Sequence, residues 1–247
     1  MEAHCIPFSD TGYFSKIVDD YLTESEYLKS FYELYPTLKN FKKAVQSKCF
    51  PEVNRIVLAD RLTSQYSNDK VNLKEEGRVA KNINLLKQNE TYTITTGHQL
   101  CLFTGPLYFI YKIVSAIKLC ESLKKDSPDI NFIPVYWMAT EDHDFAEVNH
   151  FNVDQKRFEW HTEQKSAVGR MELSEMKEVI AEYGERLTDY SANAEELRKL
   201  FTTAYSKFKT LAGATRYLVN ELFGKYGVVI IDGDDAELKK LFIPILK

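Results

Sequence analysis

Four consecutive titratable side chains follow an apolar run near the middle of the chain. The run FIPVYWMAT, residues 132–140, is typical of a central parallel strand covered on both faces, and Glu141-Asp142-His143-Asp144 comes directly after it. Carboxylates and an imidazole grouped at a strand end perturb one another's pKa values, which indicates acid–base chemistry. The catalytic candidates are Glu141, Asp142 and His143, and the substrate-binding candidates here are Asp144, Asn149 and His150.

Two other interpretations of this cluster stay open. Glu141, His143 and His150 are also residue types that bind a divalent metal, but two histidines separated by six residues match no familiar zinc pattern. Alternatively, Asp142 or Asp144 caps a short helix over residues 145–150 and the other side chains are solvated. We favour a functional site without a metal.

A glycine-bearing loop follows an earlier strand. Residues 91–96 are rich in β-branched side chains and predict a strand, after which Gly97-His98-Gln99 leads to a helix that starts near Pro106. Glycines and a helix start bring backbone N–H groups and a positive dipole end close to an anion. A plain turn capped by Thr104 is the alternative, and Cys101 is expected to be a buried apolar residue rather than a nucleophile. The predicted nucleotide-binding residues are Thr96, Gly97, His98, Gln99, Thr104 and Gly105.

A third polar turn ends the apolar run at residues 226–231, which predicts another buried strand. Asp232-Gly233-Asp234-Asp235 follows, and Asp234 or Asp235 is expected to cap a helix that begins at Ala236. Asp232 is a further substrate-binding candidate. Because parallel strands end at one edge of a sheet, about 5 Å apart, the three polar clusters are predicted to line a single crevice.

Helical patterns surround these strands. The predicted helices span residues 27–35, 39–48, 54–66, 73–86, 107–123, 174–190 and 193–223, the last broken or bent near Gly213. The helix over 107–123 is apolar nearly all round, so we expect most of its circumference to be buried. The predicted organisation is a helical N-terminal segment, residues 1–90, packed on an α/β core, residues 91–247, in which residues 151–225 form a largely helical insertion.

Composition bounds the class of protein. With 247 residues, 44% hydrophobic and 28% charged, the chain suits a globular α/β protein, and a net charge of −4 gives no basic surface for nucleic acid. It has no apolar run of membrane-spanning length and no secretion signal at its start. The four cysteines form no CxxC pair, so reduced thiols in a cytoplasmic protein are expected.

Three segments carry a resemblance to a known family. They are TTGHQLCLFTGPLYFIYKIVSAIKL, VYWMATEDHDFAEVNH and VVIIDGDDAELKKL, at residues 95–119, 135–150 and 228–241. In this order and spacing they resemble the N-terminal half of the cysteine-adding enzymes of bacillithiol biosynthesis. The family's glycine-glutamine-glutamine corresponds to Gly97-His98-Gln99, so His98 departs from the usual residue.

The resemblance implies a Rossmann-like parallel sheet similar to class I aminoacyl-tRNA synthetases and other nucleotidyl transferases. It also implies a ligase that forms an amide bond between cysteine and glucosaminyl-malate, using ATP with or without Mg²⁺. Family members are about twice as long and dimerise through a C-terminal coiled coil, which is expected to be absent from this chain. The alternatives are a metal-dependent hydrolase and a non-catalytic nucleotide-binding scaffold.

Overall fold

The computed structural model describes residues 4–73, 77–187 and 193–246. The chain divides into two compact units, Met1–Cys49 and Phe50–Lys247. Within the described ranges no helix combines the length and the apolar character that crossing a membrane requires.

The first unit is small and helical. It contains α1 (Phe8–Thr11), α2 (Lys16–Leu22), a 3₁₀ turn (Glu26–Phe31) and α3 (Leu38–Ser47). Thr37 caps α3, because its hydroxyl accepts a hydrogen bond from the Asn40 backbone N–H at 3.2 Å. The helix predicted over residues 27–35 is wrong in extent, since only the 3₁₀ turn forms and Tyr32 is already extended.

The second unit holds the strands. Its helices are α4 (Glu52–Asn68), α5 (Arg78–Leu85), α6 (Tyr108–Asp126), α7 (Phe145–Val148), α8 (Lys177–Arg186), α9 (Ala194–Lys207), α10 (Leu211–Phe223) and α11 (Ala236–Leu246). Its strands are β1 (Thr91–His98), β2 (Asn131–Met138), β3 (His150–Val153), β4 (Lys156–Glu159) and β5 (Val229–Asp232). The predicted strands 91–96, 132–140 and 226–231 correspond to β1, β2 and β5. Parts of the predicted helices 73–86 and 174–190, namely residues 74–76 and 188–190, lie outside the described residues.

The main sheet has the order β1-β2-β5 and is entirely parallel. Its register pairs Thr91 with Asn131 through to His98 with Met138, and Met138 with Asp232. Strand, helix and strand therefore form the expected βαβ unit, with α6 as the crossover between β1 and β2. The predicted Rossmann-like α/β class is confirmed.

Helix α6 is less buried than its sequence predicts. A single stripe, which includes Phe109, Ile113 and Leu123, is buried and packs on β1 and β2. Tyr108 and Tyr111, by contrast, are 56% and 62% exposed. The difference arises because β1 is an edge strand, so the sheet is too narrow to cover the whole helix.

Helices α4 and α5 belong to the same compact unit as the sheet, whereas the sequence pattern grouped them with residues 1–90. Arg55 on α4 donates to the carbonyl of Thr91 at 3.0 Å and thereby holds the start of β1. The Tyr66 hydroxyl accepts from the Ile230 N–H at 3.0 Å and holds β5 in the same way.

The insertion begins with a hairpin and continues as helices. Asp154 and Gln155 both have positive φ, which is the geometry of a two-residue turn between β3 and β4. The helix predicted over 193–223 is two helices, α9 and α10, and Thr210 caps the second. Phe103, from the loop after β1, packs its ring against four aromatic residues of the insertion: Phe151, Tyr183, Phe201 and Tyr205.

A buried arginine joins α10 to α4 and β5. Arg216 is fully buried, and its guanidinium donates to Asp69 at 2.5 Å, to the Ile230 carbonyl at 2.7 Å and to Gln65 at 3.2 Å. Each of these acceptors loses a charge-assisted hydrogen bond if the guanidinium is removed.

We expect Arg216→Met to lower the free energy of unfolding by about 3–5 kcal/mol, because it leaves buried and half-buried acceptors unpaired. Urea denaturation measures the change. The matched control is Arg186→Met, which removes a partly exposed arginine 3.8 Å from Asp154 and should change stability by less than about 0.5 kcal/mol. A loss below about 1 kcal/mol for Arg216→Met would contradict the structural role given to it.

Candidate functional site

The three strand ends lie side by side. Because β1 pairs with β2 to the last residue of both, and β2 with β5 to the last residue of both, His98, Met138 and Asp232 form one row. The polar segments that follow each strand therefore leave the sheet at the same edge, as the sequence predicts. In open α/β sheets this carboxyl edge is where ligands bind.

Gln99 connects the first segment to the second. Its side-chain amide donates to Asp142 at 2.9 Å and to Glu147 at 2.6 Å. The other oxygen of Asp142 accepts from the backbone N–H of Asp144 at 2.9 Å. The Asp144 N–H and then the Gln99 amide lower the pKa of Asp142, so this carboxylate is ionised at neutral pH.

Glu141 connects the second segment to the third. Its Oε1 accepts from the Trp137 indole N–H at 3.2 Å, while its Oε2 is buried and has no hydrogen-bond partner among the described residues. The carboxylate lies directly against Gly233, where an added Cβ would overlap Oε2. Only glycine at position 233 lets Glu141 take this place.

Thr140 organises the turn after β5. Its hydroxyl donates to Asp232 and accepts from the Asp234 N–H, the latter at 2.9 Å. Asp235 caps α11 by accepting from the N–H groups of Glu237 and Leu238, both at 3.0 Å, which confirms one of the two predicted caps.

Asp234 is paired with two cations. Arg170 Nε and Lys239 Nζ each lie 2.5 Å from one of its carboxylate oxygens. Burial raises the pKa of Asp234, but the two cations outweigh it and hold the pKa below its ordinary value.

His98 is buried, in contrast to the exposed position that phosphate binding would need. Its ring packs against Tyr108 and Phe109, and its Nδ1 lies 3.0 Å from the Gln99 carbonyl. A carbonyl only accepts, so Nδ1 carries the proton and Nε2 is an acceptor, which has no partner among the described residues. Burial lowers the pKa of His98 and keeps the ring neutral.

The other predicted nucleotide-binding residues lie along β1 and its loop. Thr96 and Gly97 lie near the end of β1, before His98, and the Gly97 carbonyl accepts from Lys112 of α6. Thr104 has a positive φ, and the N–H of Gly105 is used by the Leu102 carbonyl at 2.8 Å. Cys101 is half-buried and not fully buried as predicted, and this burial raises the pKa of its thiol to about 11, which argues against a nucleophile.

Asn149 and His150 form contacts within the hairpin. Asn149 donates to the Trp160 carbonyl at 3.3 Å, and His150 Nδ1 lies 3.0 Å from the Asn149 side-chain oxygen. His143 is exposed, and its charge contributes to lowering the Asp142 pKa. In the described ranges no three His, Cys, Asp or Glu side chains are grouped so that they could hold a metal ion.

The sequence interpretation missed several residues at this edge: Lys112, Trp137, Thr140, Arg170 and Lys239. Lys112 and Lys239 sit on helices, where a lysine is ordinarily solvated, and Arg170 lies in a stretch without a recognisable pattern. Thr140 carried a usable signal, because it ends the apolar run immediately before Glu141.

We expect Gly233→Ala to move the Glu141 carboxylate without unfolding the protein, because the clash falls on the end of a flexible side chain. The Trp137 indole N–H signal in a ¹H–¹⁵N spectrum should then shift, while that of fully buried Trp160 stays in place. Gly184→Ala is the control, since its added Cβ meets only Arg198 at 3.8 Å. An unchanged Trp137 signal would contradict the contact between Glu141 and Gly233.

His98 should make stability depend on pH. The folded protein binds a proton at His98 less readily than the unfolded chain, whose histidine pKa is about 6.5. The free energy of unfolding therefore has its full value above about pH 6.5. It decreases as the pH drops below 6.5, by up to about 1.4 kcal/mol per pH unit. The urea midpoint of His98→Gln should depend less on pH between 5 and 8 than that of the wild type. His161→Gln, which replaces an exposed histidine, should show the same pH dependence as the wild type.

The comparisons with known proteins agree on one family. A family profile described as "Bacillithiol biosynthesis BshC, N-terminal Rossmann-like domain" matches residues 1–247. Relatives named "Putative cysteine ligase BshC" occur in Flavobacterium psychrophilum and Flavobacterium johnsoniae, each 48% identical over 100% of this chain. A Bacillus cereus relative of the same name is 28% identical over 94% of the chain.

The chain spans less than half the length of these relatives, 46% of the two from Flavobacterium and 43% of the one from Bacillus. The match covers all three strand ends and the insertion between them. The chain therefore belongs to the BshC family of bacillithiol biosynthesis and corresponds to its N-terminal Rossmann-like domain.

Proposed function

We propose that this domain carries the reacting groups of a ligase that joins the carboxyl group of cysteine to the amine of glucosaminyl-malate. The observation that supports this most directly is the pair of strand-end carboxylates, Asp142 and Glu141, which differ sharply in their surroundings. A ligase site for these substrates can use two such groups, one that stays ionised to hold an ammonium and one that accepts a proton.

Asp142 is suited to hold the ammonium group of cysteine. Its lowered pKa keeps it charged, and its bonds to Gln99 and to the Asp144 N–H fix its orientation. Glu147, on the other side of the Gln99 amide, adds negative charge to the same place. A carboxylate that is already fixed binds an ammonium with little reorganisation.

Glu141 is suited to take the proton of the attacking amine. Its buried Oε2 lacks a hydrogen-bond partner among the described residues, so the carboxylate keeps acceptor capacity that no protein group uses. As the amine nitrogen bonds to the carboxyl carbon of cysteine activated by ATP, phosphate or AMP departs with its electron pair, and the nitrogen gives its proton to the Glu141 carboxylate. Exposed His143, beside Asp142, is positioned to exchange protons with solvent.

Activation of the cysteine carboxyl group by ATP is part of the proposal. The loop after β1, however, does not fit the phosphates as predicted. Phosphate oxygens only accept hydrogen bonds, whereas neutral His98 offers an acceptor, the Gln99 amide serves two carboxylates and the Gly105 N–H is used within the loop. We therefore assign no chemical step to a nucleotide in this loop.

For the longer relatives, dimerisation through a C-terminal coiled coil stays a prediction, and so does a cytoplasmic location with small-molecule substrates. These properties concern the full-length proteins, of which the present chain spans less than half.

The test of the proposed function is formation of cysteinyl-glucosaminyl-malate by a full-length protein that contains this domain, measured by mass spectrometry with cysteine, glucosaminyl-malate and ATP. Asp142→Asn keeps the shape of the side chain and removes its charge, so we expect kcat/KM to fall about 10- to 100-fold, as for a lost charged hydrogen bond. Most of the loss should appear in the KM for cysteine, because the ammonium is bound before the reaction.

The control variant is Glu178→Gln, which removes an exposed carboxylate from the first turn of α8 and should leave the rate unchanged. Activity of Asp142→Asn within twofold of the wild type would refute the role of Asp142. Absence of the product under all conditions would refute the proposed reaction itself.

A further inference from the structure

The insertion brings a fixed arginine to the carboxyl edge of the sheet. The backbone of its 3₁₀ turn, Val168–Arg170, is attached to the segment after β2 at two points. The Val168 N–H donates to the Asp142 carbonyl at 2.7 Å, and the Gly169 N–H donates to the Thr140 carbonyl at 3.1 Å. Gly169 lies so close that an added Cβ would be 2.5 Å from the Thr140 Cβ. The turn is therefore held firmly beside the site.

The Arg170 guanidinium is held in one direction and is exposed to solvent. Its Nε is 2.5 Å from Asp234, which sets the direction of the guanidinium, yet its side chain is 67% exposed. Among the described residues its two terminal nitrogens have no hydrogen-bond partner. A guanidinium offers its donors in a planar fork that matches the two oxygens of a carboxylate or phosphate.

Two cations meet at the turn after β5. Asp234 is paired with two cations, Arg170 and Lys239, and the Asp232 carboxylate also lies within electrostatic range of Arg170. The other end of the edge, around Asp142 and Glu147, is acidic.

We propose that Arg170, supported by Lys239, is the anion-binding position of this edge and takes a carboxylate or phosphate group of a ligand. The proposal deepens the proposed function, because it places the anionic part of a substrate at the end of β5 and not in the loop after β1. It rests on that function only for the choice of ligands. Among the ligands of the proposed reaction, the anion that Arg170 binds is either a malate carboxylate of glucosaminyl-malate or a phosphate of ATP.

The test measures dissociation constants by calorimetry for three probes: ATP, glucosaminyl-malate and inorganic pyrophosphate. In Arg170→Gln we expect the affinity for at least one of these anions to fall about 10- to 100-fold, the usual effect of losing a charged bidentate contact. Loss confined to ATP and pyrophosphate identifies a phosphate, and loss confined to glucosaminyl-malate identifies a carboxylate. Arg170→Lys should recover only part of the affinity, because it restores the charge but not the fork.

The matched control is Arg157→Gln. Arg157 also belongs to the insertion, is 52% exposed and has its Nε 2.8 Å from a carboxylate, that of Glu159. This variant should bind all probes as the wild type does. Thermal melting of each variant separates binding from folding, since a role limited to pairing with Asp234 would lower the melting temperature and leave the dissociation constants unchanged.

The proposal is overturned if Arg170→Gln binds every probe within twofold of the wild type, or if the wild type binds none of the three. Failure of the ligase reaction has a different signature. In that case no amide product forms, while binding of at least one of the three probes still depends on Arg170.

Discussion

Strand β2 pairs in parallel with both β1 and β5, and the last residues of the three strands are paired with one another. The rest of the site depends on this register. Three segments that are far apart in sequence leave the sheet from adjacent positions. Their side chains are then close enough for direct hydrogen bonds: Gln99 reaches Asp142, and Thr140 reaches Asp232. A shift of one residue in either pairing would turn alternate side chains to the other face of the sheet and separate these partners.

The insertion does more than lengthen the connection between β2 and β5. Its Val168–Arg170 turn donates two backbone hydrogen bonds to the segment after β2, and Arg170 pairs with Asp234 after β5. Phe103, from the loop after β1, packs among its aromatic side chains. All three strand-end segments are therefore in contact with the insertion, which makes it part of the framework of the site.

Differences in burial and in neighbouring charges give these groups different roles. The surroundings of Asp142 keep it ionised, whereas Glu141 retains a buried oxygen without a partner among the described residues. His98 is neutral because the protein interior disfavours its charged form, and its protonated nitrogen faces a carbonyl. A side chain that the sequence suggested as a phosphate donor thus has only an acceptor to offer. Cationic donors lie at the opposite end of the edge, on Arg170 and Lys239.

The sequence by itself determined the three strands of the main sheet, the α/β class, the family and the convergence of three polar segments. Apolar runs that end in polar clusters carry this information locally, and parallel strands must end at one edge. It left open the direction of each side chain, and for that reason the protonated nitrogen of His98 and the neighbours of Glu141 were not predictable. Only the tertiary structure decided which side of α6 is exposed and that Arg170 lies at the carboxyl edge of the sheet. Both depend on how wide the sheet is and where a distant insertion folds back, and neither is encoded in local periodicity.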